Sequence, residues 1–210
     1  MNMEIAHSSI SGVVLAGGKS RRLGRNKAIE PIGKQVLIGR VIDRISKVAF
    51  ESIAVVAEDT KVDDLRLPPW VRVASDIYPG SGSLGGIFTG LSAAQGKIVV
   101  ISACDMPFIN IDLVRFMVGL ISNWDAIVPI VEGRPEPLHA VYSKSCLSSI
   151  EQQILGGNLK IAKFFDKVNV RFVGEDDIRH FDPHLLSFFN VNTQDDLDRA
   201  LFIESNNSQE

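Results

Sequence analysis

The feature that most constrains this chain is an apolar strand that runs directly into a loop of glycines and cations. Residues 10–15 are predicted to form the strand, and residues 16–27, AGGKSRRLGRNK, form the loop. Glycines allow backbone N–H groups to approach phosphate oxygens closely, and Arg22 and Lys27 supply positive charge. At the end of a first strand this composition favours a polyphosphate-binding loop, with a solvated basic turn as the alternative.

The segment Gly18-Lys19-Ser20 imitates the end of a Walker A loop, the phosphate loop of many kinases and ATPases. That motif requires a glycine five positions before its second glycine, which would be Gly18. Val13 occupies the required position, in the interior of the predicted strand, and Gly12 lies one place too far away. We therefore reject a Walker A site.

Length and composition indicate one α/β domain spanning residues 1–210, with frayed termini at residues 1–8 and 205–210. A chain of 210 residues that is 45% hydrophobic can bury a sizeable core. The net charge of −3 argues against a broad nucleic-acid-binding surface. The chain shows no signal peptide and no membrane-spanning apolar run, and its 2 cysteines are too few for a disulfide framework. We therefore expect a cytoplasmic location.

Apolar runs with strand character alternate with segments of helical periodicity along the chain. The predicted strands are residues 10–15, 53–57, 71–74, 98–102, 126–130 and 138–142, and the predicted helices are residues 37–48, 84–94, 111–121 and 193–203. This order predicts an α/β fold with a mostly parallel sheet and helices on both faces. Ligands of such sheets bind beyond the carboxyl ends of the strands, so the loops at Ala16, Asp76 and Asp105 should gather at one edge.

Two aspartates at these strand ends are candidate ligand-binding groups. Asp105 follows the apolar run at residues 98–101, where burying a carboxylate is costly without a partner. Magnesium is a suitable partner, since it takes carboxylate, phosphate and water oxygens; the alternative is an aspartate that caps the turn before Pro107. Asp76, judged from the residues alone, is an Asx-turn residue that leads to Pro79.

Residues 190–193, with the sequence NVNT, combine a predicted strand end with a helix cap. Strand alternation would direct Asn190 and Asn192 to the same face. Thr193 and Asp196 form a variant capping box that opens the last helix, so Asn192 or Thr193 could serve only as a cap.

Two further patterns have weaker functional interpretations. Residues 80–85 match G-x-G-x-x-G, and Asp105 lies at the separation expected of a ribose-binding acid, but a turn at Tyr78 interrupts the required strand–glycine junction. NAD binding is the alternative that this match leaves open. His139 lies in an apolar strand and favours a structural role, while His139 and Arg134 are also candidates for contact with a second substrate.

Residues 15–27 resemble the nucleotidyltransferase signature L-A-G-G-x-S-x-R-x-G-x-x-K. The matching residues are Leu15, Ala16, Gly17, Gly18, Ser20, Arg22, Gly24 and Lys27. Over nearly its whole length the chain is similar to the molybdenum cofactor guanylyltransferases, the MobA family. The other segments that carry this resemblance, by their order and spacing, are residues 76–80, 84–87, 104–108, 137–142 and 189–193.

The resemblance implies a nucleotidyltransferase-type fold, a Rossmann-like three-layer sandwich, and a set of site residues. It implies that Arg22, Lys27 and Asp105 are catalytic and that Asp105 binds Mg²⁺. The implied nucleotide- and substrate-binding residues are Leu15, Ala16, Gly17, Gly18, Lys27, Asp76, Asp105, Asn190 and Asn192. Val56 lies where some relatives carry a nucleotide-contacting asparagine, so in this chain that contact must be absent or made by the backbone.

The resemblance further implies transfer of GMP from GTP to the phosphate of molybdenum-molybdopterin, with release of pyrophosphate. The expected partners are GTP, a molybdopterin-type cofactor and the enzymes that deliver or receive it, without nucleic acid or membrane. A related transferase that uses CTP or a sugar phosphate is the nearest alternative. Cytidylyl relatives commonly show AAG at residues 16–18, and we expect Gly17 to give a purine more room. A non-catalytic nucleotide-binding module is the alternative from another class.

Overall fold

The computed structural model describes residues 9–17 and 26–207, and its centre is a sheet whose strands almost all point the same way. The strands are β1 (Ile10–Leu15), β2 (Pro31–Ile32), β3 (Gln35–Val36), β4 (Glu51–Val56), β5 (Arg72–Ser75), β6 (Ile98–Ala103), β7 (Ala126–Val131), β8 (Arg134–Pro135), β9 (His139–Ser143) and β10 (Val170–Val173). The sheet has the order β10-β7-β9-β6-β1-β4-β5, with β8 paired to β7, while β2 and β3 form a separate hairpin. Strand β9 is antiparallel to β6 and β7, and the other pairings along this path are parallel. The predicted mostly parallel sheet is confirmed.

Helices cover both faces of this sheet, as predicted. They are α1 (Leu37–Ile45), α2 (Gly82–Ala93), α3 (Ile111–Gly119), α4 (Leu147–Leu155), α5 (Ile161–Phe164), α6 (Glu175–Arg179) and α7 (Gln194–Asn207). Ile42 of α1 and Leu113 of α3 share a core with Val14, whereas Leu84 of α2 shares a second core with Val13. Successive strand residues point to opposite faces, so β1 contributes to both cores and the fold is a three-layer α/β sandwich.

Several predicted elements have different ends in the structure. The last helix continues past the predicted end at residue 203 to Asn207, and residues 190–192 are not a strand. The sequence did not predict α4, α5, α6 or β10. Residues 1–8 and 208–210, within the termini predicted to fray, lie outside the described residues. Within residues 9–17 and 26–207, no helix is long and apolar enough to cross a membrane.

Two helix caps predicted from the sequence are confirmed. The Asn110 side chain accepts a hydrogen bond from the Leu113 backbone N–H at 3.0 Å, and its amide group donates to the Phe181 carbonyl at 2.7 Å. At α7 the Asp196 carboxylate accepts from the Thr193 backbone N–H at 2.9 Å, and the Thr193 hydroxyl accepts from the Asp196 N–H at 3.2 Å. These side chains satisfy N–H groups that have no partner within a helix's first turn.

The register of the sheet brings the strand ends to one edge. Leu15 at the end of β1 lies beside Ala103 at the end of β6, and Ser75 at the end of β5 lies beside the last residue of β4. Because β9 runs the opposite way, it begins at this same edge, where Leu138 accepts a hydrogen bond from the Ala103 N–H at 2.9 Å. The loops at Gly17, Asp76 and Asp105 therefore leave the sheet side by side.

The opposite edge is held by the carboxylate of Glu51. It accepts hydrogen bonds from the Ser11 hydroxyl at 2.6 Å, from the Gln95 backbone N–H at 2.6 Å and from the Arg72 guanidinium at 2.7 Å. Burial pushes the pKa of Glu51 up, but these three hydrogen bonds and the charge of Arg72 outweigh it and leave the pKa below its ordinary value. One carboxylate thus ties together β1, β4, β5 and the segment that precedes β6.

Glu51→Gln should lower the free energy of unfolding by about 1–2 kcal/mol near neutral pH, because hydrogen bonds to an ionised acceptor are replaced by weaker ones. The folded-state pKa is depressed, so the ionised carboxylate stabilises the fold above the ordinary pKa of 4.5, and this contribution is lost as the pH falls from there through the folded-state pKa. Urea unfolding at neutral and acidic pH measures both effects. The exposed Glu58→Gln is the control and should leave stability unchanged. An equal destabilisation by Glu51→Gln at both pH values would contradict this role.

Candidate functional site

A cleft of about 860 Å³ opens at the edge where β1, β4, β5 and β6 end. This volume lies within the range of roughly 300–1,000 Å³ that is typical of small-molecule sites. Its described lining includes Leu15, Gly17, Lys27, Val55, Val56, Ala57, Glu58, Asp59, Asp76, Pro79, Gly80, Gly82, Ser83, Gly86, Ala103, Cys104, Asp105, Leu138 and Asn190. The predicted gathering of the loops at Gly17, Asp76 and Asp105 is therefore observed.

A lysine and two oxygen-bearing side chains meet at one side of this cleft. Asp105, which is 5% exposed, forms an ion pair through its Oδ2 with the ammonium of Lys27. The same ammonium donates a hydrogen bond to Oδ1 of Asn192 at 3.2 Å. A buried carboxylate is tolerated only when it is paired and hydrogen-bonded, and Lys27 supplies that partner.

Backbone contacts hold these side chains in place. Lys27 begins a short 3₁₀ helix, for which the Asn26 side chain accepts a hydrogen bond from the Ala28 N–H at 3.1 Å. The Val191 N–H donates to the carbonyl of Asp105 at 2.9 Å, which fixes the lead-in to α7 against the loop after β6. The next residue, Asn192, donates its own N–H to the capping carboxylate of α7 at 3.0 Å.

Asp76 lies on the other side of the cleft, directly after β5. Its Oδ1 accepts hydrogen bonds from the Tyr78 backbone N–H at 3.2 Å and from the Thr89 hydroxyl at 3.1 Å. The bond to Tyr78 is the Asx-turn that the sequence suggests. Asp76 also lines the cleft, so the Asx-turn and a ligand-binding role are compatible at this residue.

Gly17 packs closely against the end of β4. A Cβ added at this position would lie 3.3 Å from the Ala57 nitrogen and 3.7 Å from the Val56 carbonyl carbon. The missing methyl group therefore makes room for the end of β4, and Gly17 also lines the cleft, where the extra room for a purine stays a prediction. Ala16 is half-buried, and its N–H donates to the Val55 carbonyl at 2.8 Å, so its backbone continues the sheet.

The remaining predicted site residues have mixed outcomes. Asn190 lines the cleft, and its side chain donates a hydrogen bond to the Phe188 carbonyl at 3.0 Å. Asn192 is joined to the site by the hydrogen bond that its Oδ1 accepts from Lys27. The alternation expected to direct both asparagines to one face does not apply, because residues 190–192 are not a strand. Gly18 and Arg22 lie outside the described residues.

The G-x-G-x-x-G match does not form a dinucleotide-binding turn. Strand β5 ends at Ser75, and the turn at residues 76–81 separates it from α2, which begins at Gly82. Gly80 and Gly82 have φ angles of +86° and +59°, which favour glycine. The pattern thus reflects turn geometry at the cleft rather than the tight strand-to-helix junction of an NAD site.

Burial shifts the pKa values of the histidine and the cysteine nearest the cleft away from those that suit a general base or a nucleophile. His139 is 1% exposed, and burial lowers its pKa to about 4, so its ring is neutral near pH 7. Burial, together with the charge of Asp105, raises the pKa of the Cys104 thiol to about 12. An imidazole with so low a pKa is a weak base, and a thiol that stays protonated is a poor nucleophile.

The oxygen donors at Asp105 and Asn192 fit a divalent cation that is shared with a ligand. Among residues 9–17 and 26–207, no cluster of three or more His, Cys, Asp or Glu side chains could hold a metal ion alone. Mg²⁺ is commonly bound by one or two carboxylates together with phosphate and water oxygens, so a small donor set suits it. The sequence missed the lining residues 57–59 and the buried Thr89, which is polar whereas the other buried residues of α2 are apolar or glycine.

Comparison with known proteins agrees with this geometry. A family model described as the MobA-like NTP transferase domain matches residues 12–170. A Pelotomaculum thermopropionicum protein named probable molybdenum cofactor guanylyltransferase is 37% identical over 196 residues, covering 93% of this chain and 94% of its own length. The crystal structure of molybdopterin-guanine dinucleotide biosynthesis protein A from Archaeoglobus fulgidus matches with a TM-score of 0.82 and 32% identity, over 93% of this chain and 99% of that one.

A more distant structure shares the fold alone. The 2-C-methyl-D-erythritol 4-phosphate cytidylyltransferase from Thermus thermophilus matches with a TM-score of 0.69 and 16% identity, over 94% of this chain and 99% of that one. The family model covers most of this chain, and the relatives above 30% identity extend over nearly all of it. The cleft at the carboxyl edge of a mostly parallel sheet and these matches together show that the chain belongs to the MobA-like NTP transferase family.

Proposed function

We propose that this protein transfers GMP from GTP to the phosphate of molybdenum-molybdopterin, forming molybdopterin guanine dinucleotide cofactor and pyrophosphate. The observation that carries the proposal is the meeting of Lys27, Asp105 and Asn192 beside a cleft of nucleotide size. Identity of 37% to a relative named probable molybdenum cofactor guanylyltransferase supports the choice of substrates. We take residues 1–210 as one domain, and the free cysteines Cys104 and Cys146 suit the cytoplasmic location that we propose.

The reaction joins two anions and needs no strong base. A phosphate oxygen of molybdopterin attacks the α-phosphorus of GTP, the bond from that phosphorus to the bridging oxygen of the β-phosphate breaks, and pyrophosphate leaves with the electron pair. The attacking oxygen is already ionised near neutral pH, so no proton has to be removed from it. This agrees with the neutral, buried His139 and the protonated Cys104 beside the cleft.

Catalysis must then come from positioning and charge neutralisation. The strand order β6-β1-β4-β5 separates the loops at Asp105 and Asp76 by three strand spacings, roughly 14 Å. A nucleotide can therefore place its phosphates near Lys27 and its nucleoside near Asp76 and the end of β4. We assign Arg22 and the N–H group of Gly18 to the phosphates on the basis of the resemblance in residues 15–27.

Mg²⁺ is the cofactor that we propose. Asp105 and Asn192 would hold it with their carboxylate and amide oxygens, and when bound it supplies Lewis-acid polarisation of phosphoryl oxygens. Because the Lys27 ammonium bonds to these same two oxygens, Lys27 has to exchange them for a phosphate oxygen when the nucleotide and the cation bind. In this proposal Lys27 keeps the carboxylate paired while the site is without its ligands.

The main alternative is a related transferase that uses CTP or a sugar phosphate. The fold does not choose between the bases, because a cytidylyltransferase at 16% identity has the same architecture. The Val56 side chain is buried and apolar, so a hydrogen bond to the base at this position has to come from the backbone, and the side chains of Glu58 and Asp59 line the cleft nearby.

The purified protein should release pyrophosphate from GTP when molybdenum-molybdopterin and Mg²⁺ are present, and should do so far faster than from CTP. A site with buried hydrogen-bonding groups can reject the wrong base by a factor on the order of 10⁴, because that base leaves those groups unpaired. Parallel turnover assays with GTP, CTP and a sugar phosphate measure this. Equal rates with GTP and CTP would overturn the guanylyl assignment, and nucleotide binding without pyrophosphate release would favour a non-catalytic module.

Asp105→Asn should lower kcat roughly a hundredfold or more, equivalent to about 3 kcal/mol, because one charge at the cation and phosphate site is lost. Pyrophosphate release under saturating GTP measures the change, and circular dichroism verifies the fold. Asp112→Asn is a matched control, because Asp112 is an exposed aspartate paired with Arg115 on α3. Turnover of Asp105→Asn at the parental rate would show that this carboxylate is not catalytic.

Lys27→Met should depress GTP turnover and yet tighten the binding of a divalent cation in the absence of nucleotide. The reason is that the ammonium no longer competes for the oxygens of Asp105 and Asn192. Electron paramagnetic resonance of Mn²⁺ with the nucleotide-free protein measures the affinity of the cation directly.

Lys27→Arg should rescue turnover only in part, because a planar forked cation does not replace a compact ammonium. Lys163→Met, which removes an exposed lysine paired with Asp166, should change neither measurement. Unchanged or weaker Mn²⁺ binding by Lys27→Met would show that Lys27 and the cation do not share these oxygens.

A further inference from the structure

Thr89 is a polar side chain buried within α2, with 1% of its surface exposed, close to the cleft residue Asp76. We propose that Thr89 is a positioning residue that orients the carboxylate of Asp76 toward a bound nucleotide. This role rests on the proposed function, because it requires Asp76 to contact the nucleotide. It assigns a task to a residue that neither the signature loop nor the cation site uses.

The hydrogen bonds around Thr89 leave one orientation for its hydroxyl proton. A threonine hydroxyl carries a single proton and can accept hydrogen bonds as well. The Ile77 backbone N–H donates to Oγ1 of Thr89 at 2.9 Å, which uses the hydroxyl as an acceptor. The proton is then available for Oδ1 of Asp76 at 3.1 Å, since a carboxylate can only accept.

The two oxygens of Asp76 consequently differ. Oδ1 accepts from both Thr89 and the Tyr78 backbone N–H. Within residues 9–17 and 26–207, no group donates a hydrogen bond to Oδ2. One oxygen of Asp76 is thus used to fix the carboxylate, and the other is left to accept a hydrogen bond from a nucleotide in the cleft that Asp76 lines.

Helix α2 is shaped to approach this carboxylate. Gly85 lies one turn before Thr89 and therefore on the same face of the helix. A Cβ at Gly85 would lie 3.3 Å from Oδ1 of Asp76, 3.1 Å from the Tyr78 carbonyl oxygen and 2.9 Å from Cβ of Ser81. The glycine provides the space and the threonine provides the hydrogen bond, which explains the third glycine of the G-x-G-x-x-G match without a dinucleotide.

Orientation of Asp76 before the ligand binds should matter for affinity. A carboxylate held in its binding geometry loses less conformational entropy when the nucleotide arrives. A merely structural threonine would also satisfy the Ile77 N–H and stabilise the turn, but its removal would affect folding without acting through Asp76. The two roles can be separated by testing whether the effect of Thr89 on binding requires the Asp76 carboxylate.

The first measurement is the Kd of the full chain for GTP and for CTP by isothermal titration calorimetry. The variants are then titrated with whichever nucleotide the parent binds more tightly. Thr89→Val removes the hydroxyl and should weaken binding about tenfold, whereas Thr89→Ser keeps it and should stay within about twofold of the parent. Ser52→Ala is the control, since Ser52 is buried on β4 and its hydroxyl has no hydrogen-bond partner among the residues that the structure describes. A parental Kd for Thr89→Val would overturn the inference.

A double-mutant cycle with Asp76→Ala supplies the second measurement. In the Asp76→Ala background, Thr89→Val should cause no further loss of nucleotide affinity, although it should lower Tm in both backgrounds because the Ile77 N–H loses its acceptor. Equal fold-losses of affinity in both backgrounds would show that Thr89 is only structural and would overturn the positioning role.

The outcomes also separate this inference from the proposed function. If Asp76→Ala leaves Kd unchanged while the parent still turns over GTP, the role of Thr89 fails and the guanylyltransferase proposal stands. If the parent binds and uses CTP in preference, the guanylyl proposal fails and the cycle with CTP still tests Thr89. A parent that binds neither nucleotide overturns both.

Discussion

The buried carboxylate of Asp105 is the constraint around which this site is organised. It is 5% exposed at the end of an apolar strand, where an unpaired charge would be strongly destabilising. Its cationic partner, Lys27, is 78 positions away in the chain, and Asn192, which shares that lysine, is 165 positions from Lys27. The loop after β1, the loop after β6 and the lead-in to α7 therefore have to meet at one point. The Val191 N–H, bonded to the Asp105 carbonyl, holds the third of these segments in place.

The topology of the sheet places this ion pair at one end of a longer cleft. Strands β1, β4, β5 and β6 end at the same edge, and the reversed strand β9 begins there with Leu138. Asp76 lies at the far side of the cleft, where its carboxylate accepts a hydrogen bond from the Thr89 hydroxyl of α2. The cleft thus has the ion pair of Lys27 and Asp105 at one side and the carboxylate of Asp76 at the other, with glycine and apolar residues between them. His139, which lies next to the lining residue Leu138, is buried in its neutral form.

Much of this fold is predictable from local sequence. The alternation of apolar strands with amphipathic segments indicated a mostly parallel sheet with helices on both faces, and Asn110 and the Thr193–Asp196 pair marked helix starts that the structure confirms. Elements with weak local signals were missed. Strand β10 is largely exposed and α6 is only five residues long, so neither has enough apolar periodicity to be recognised without its neighbours.

The sequence by itself determined which residues could do chemistry and the edge of the sheet at which they would lie, because strand ends, glycine loops and caps are local properties. Only the tertiary structure decided which of these residues contact one another. It paired Lys27 with Asp105, placed Gly17 against the end of β4, and placed the Thr89 hydroxyl within hydrogen-bonding distance of Asp76. Each of these depends on segments far apart in the chain, or on the direction in which a helix approaches a turn. Periodicity along the chain carries no information about such contacts, since they follow from how the layers pack.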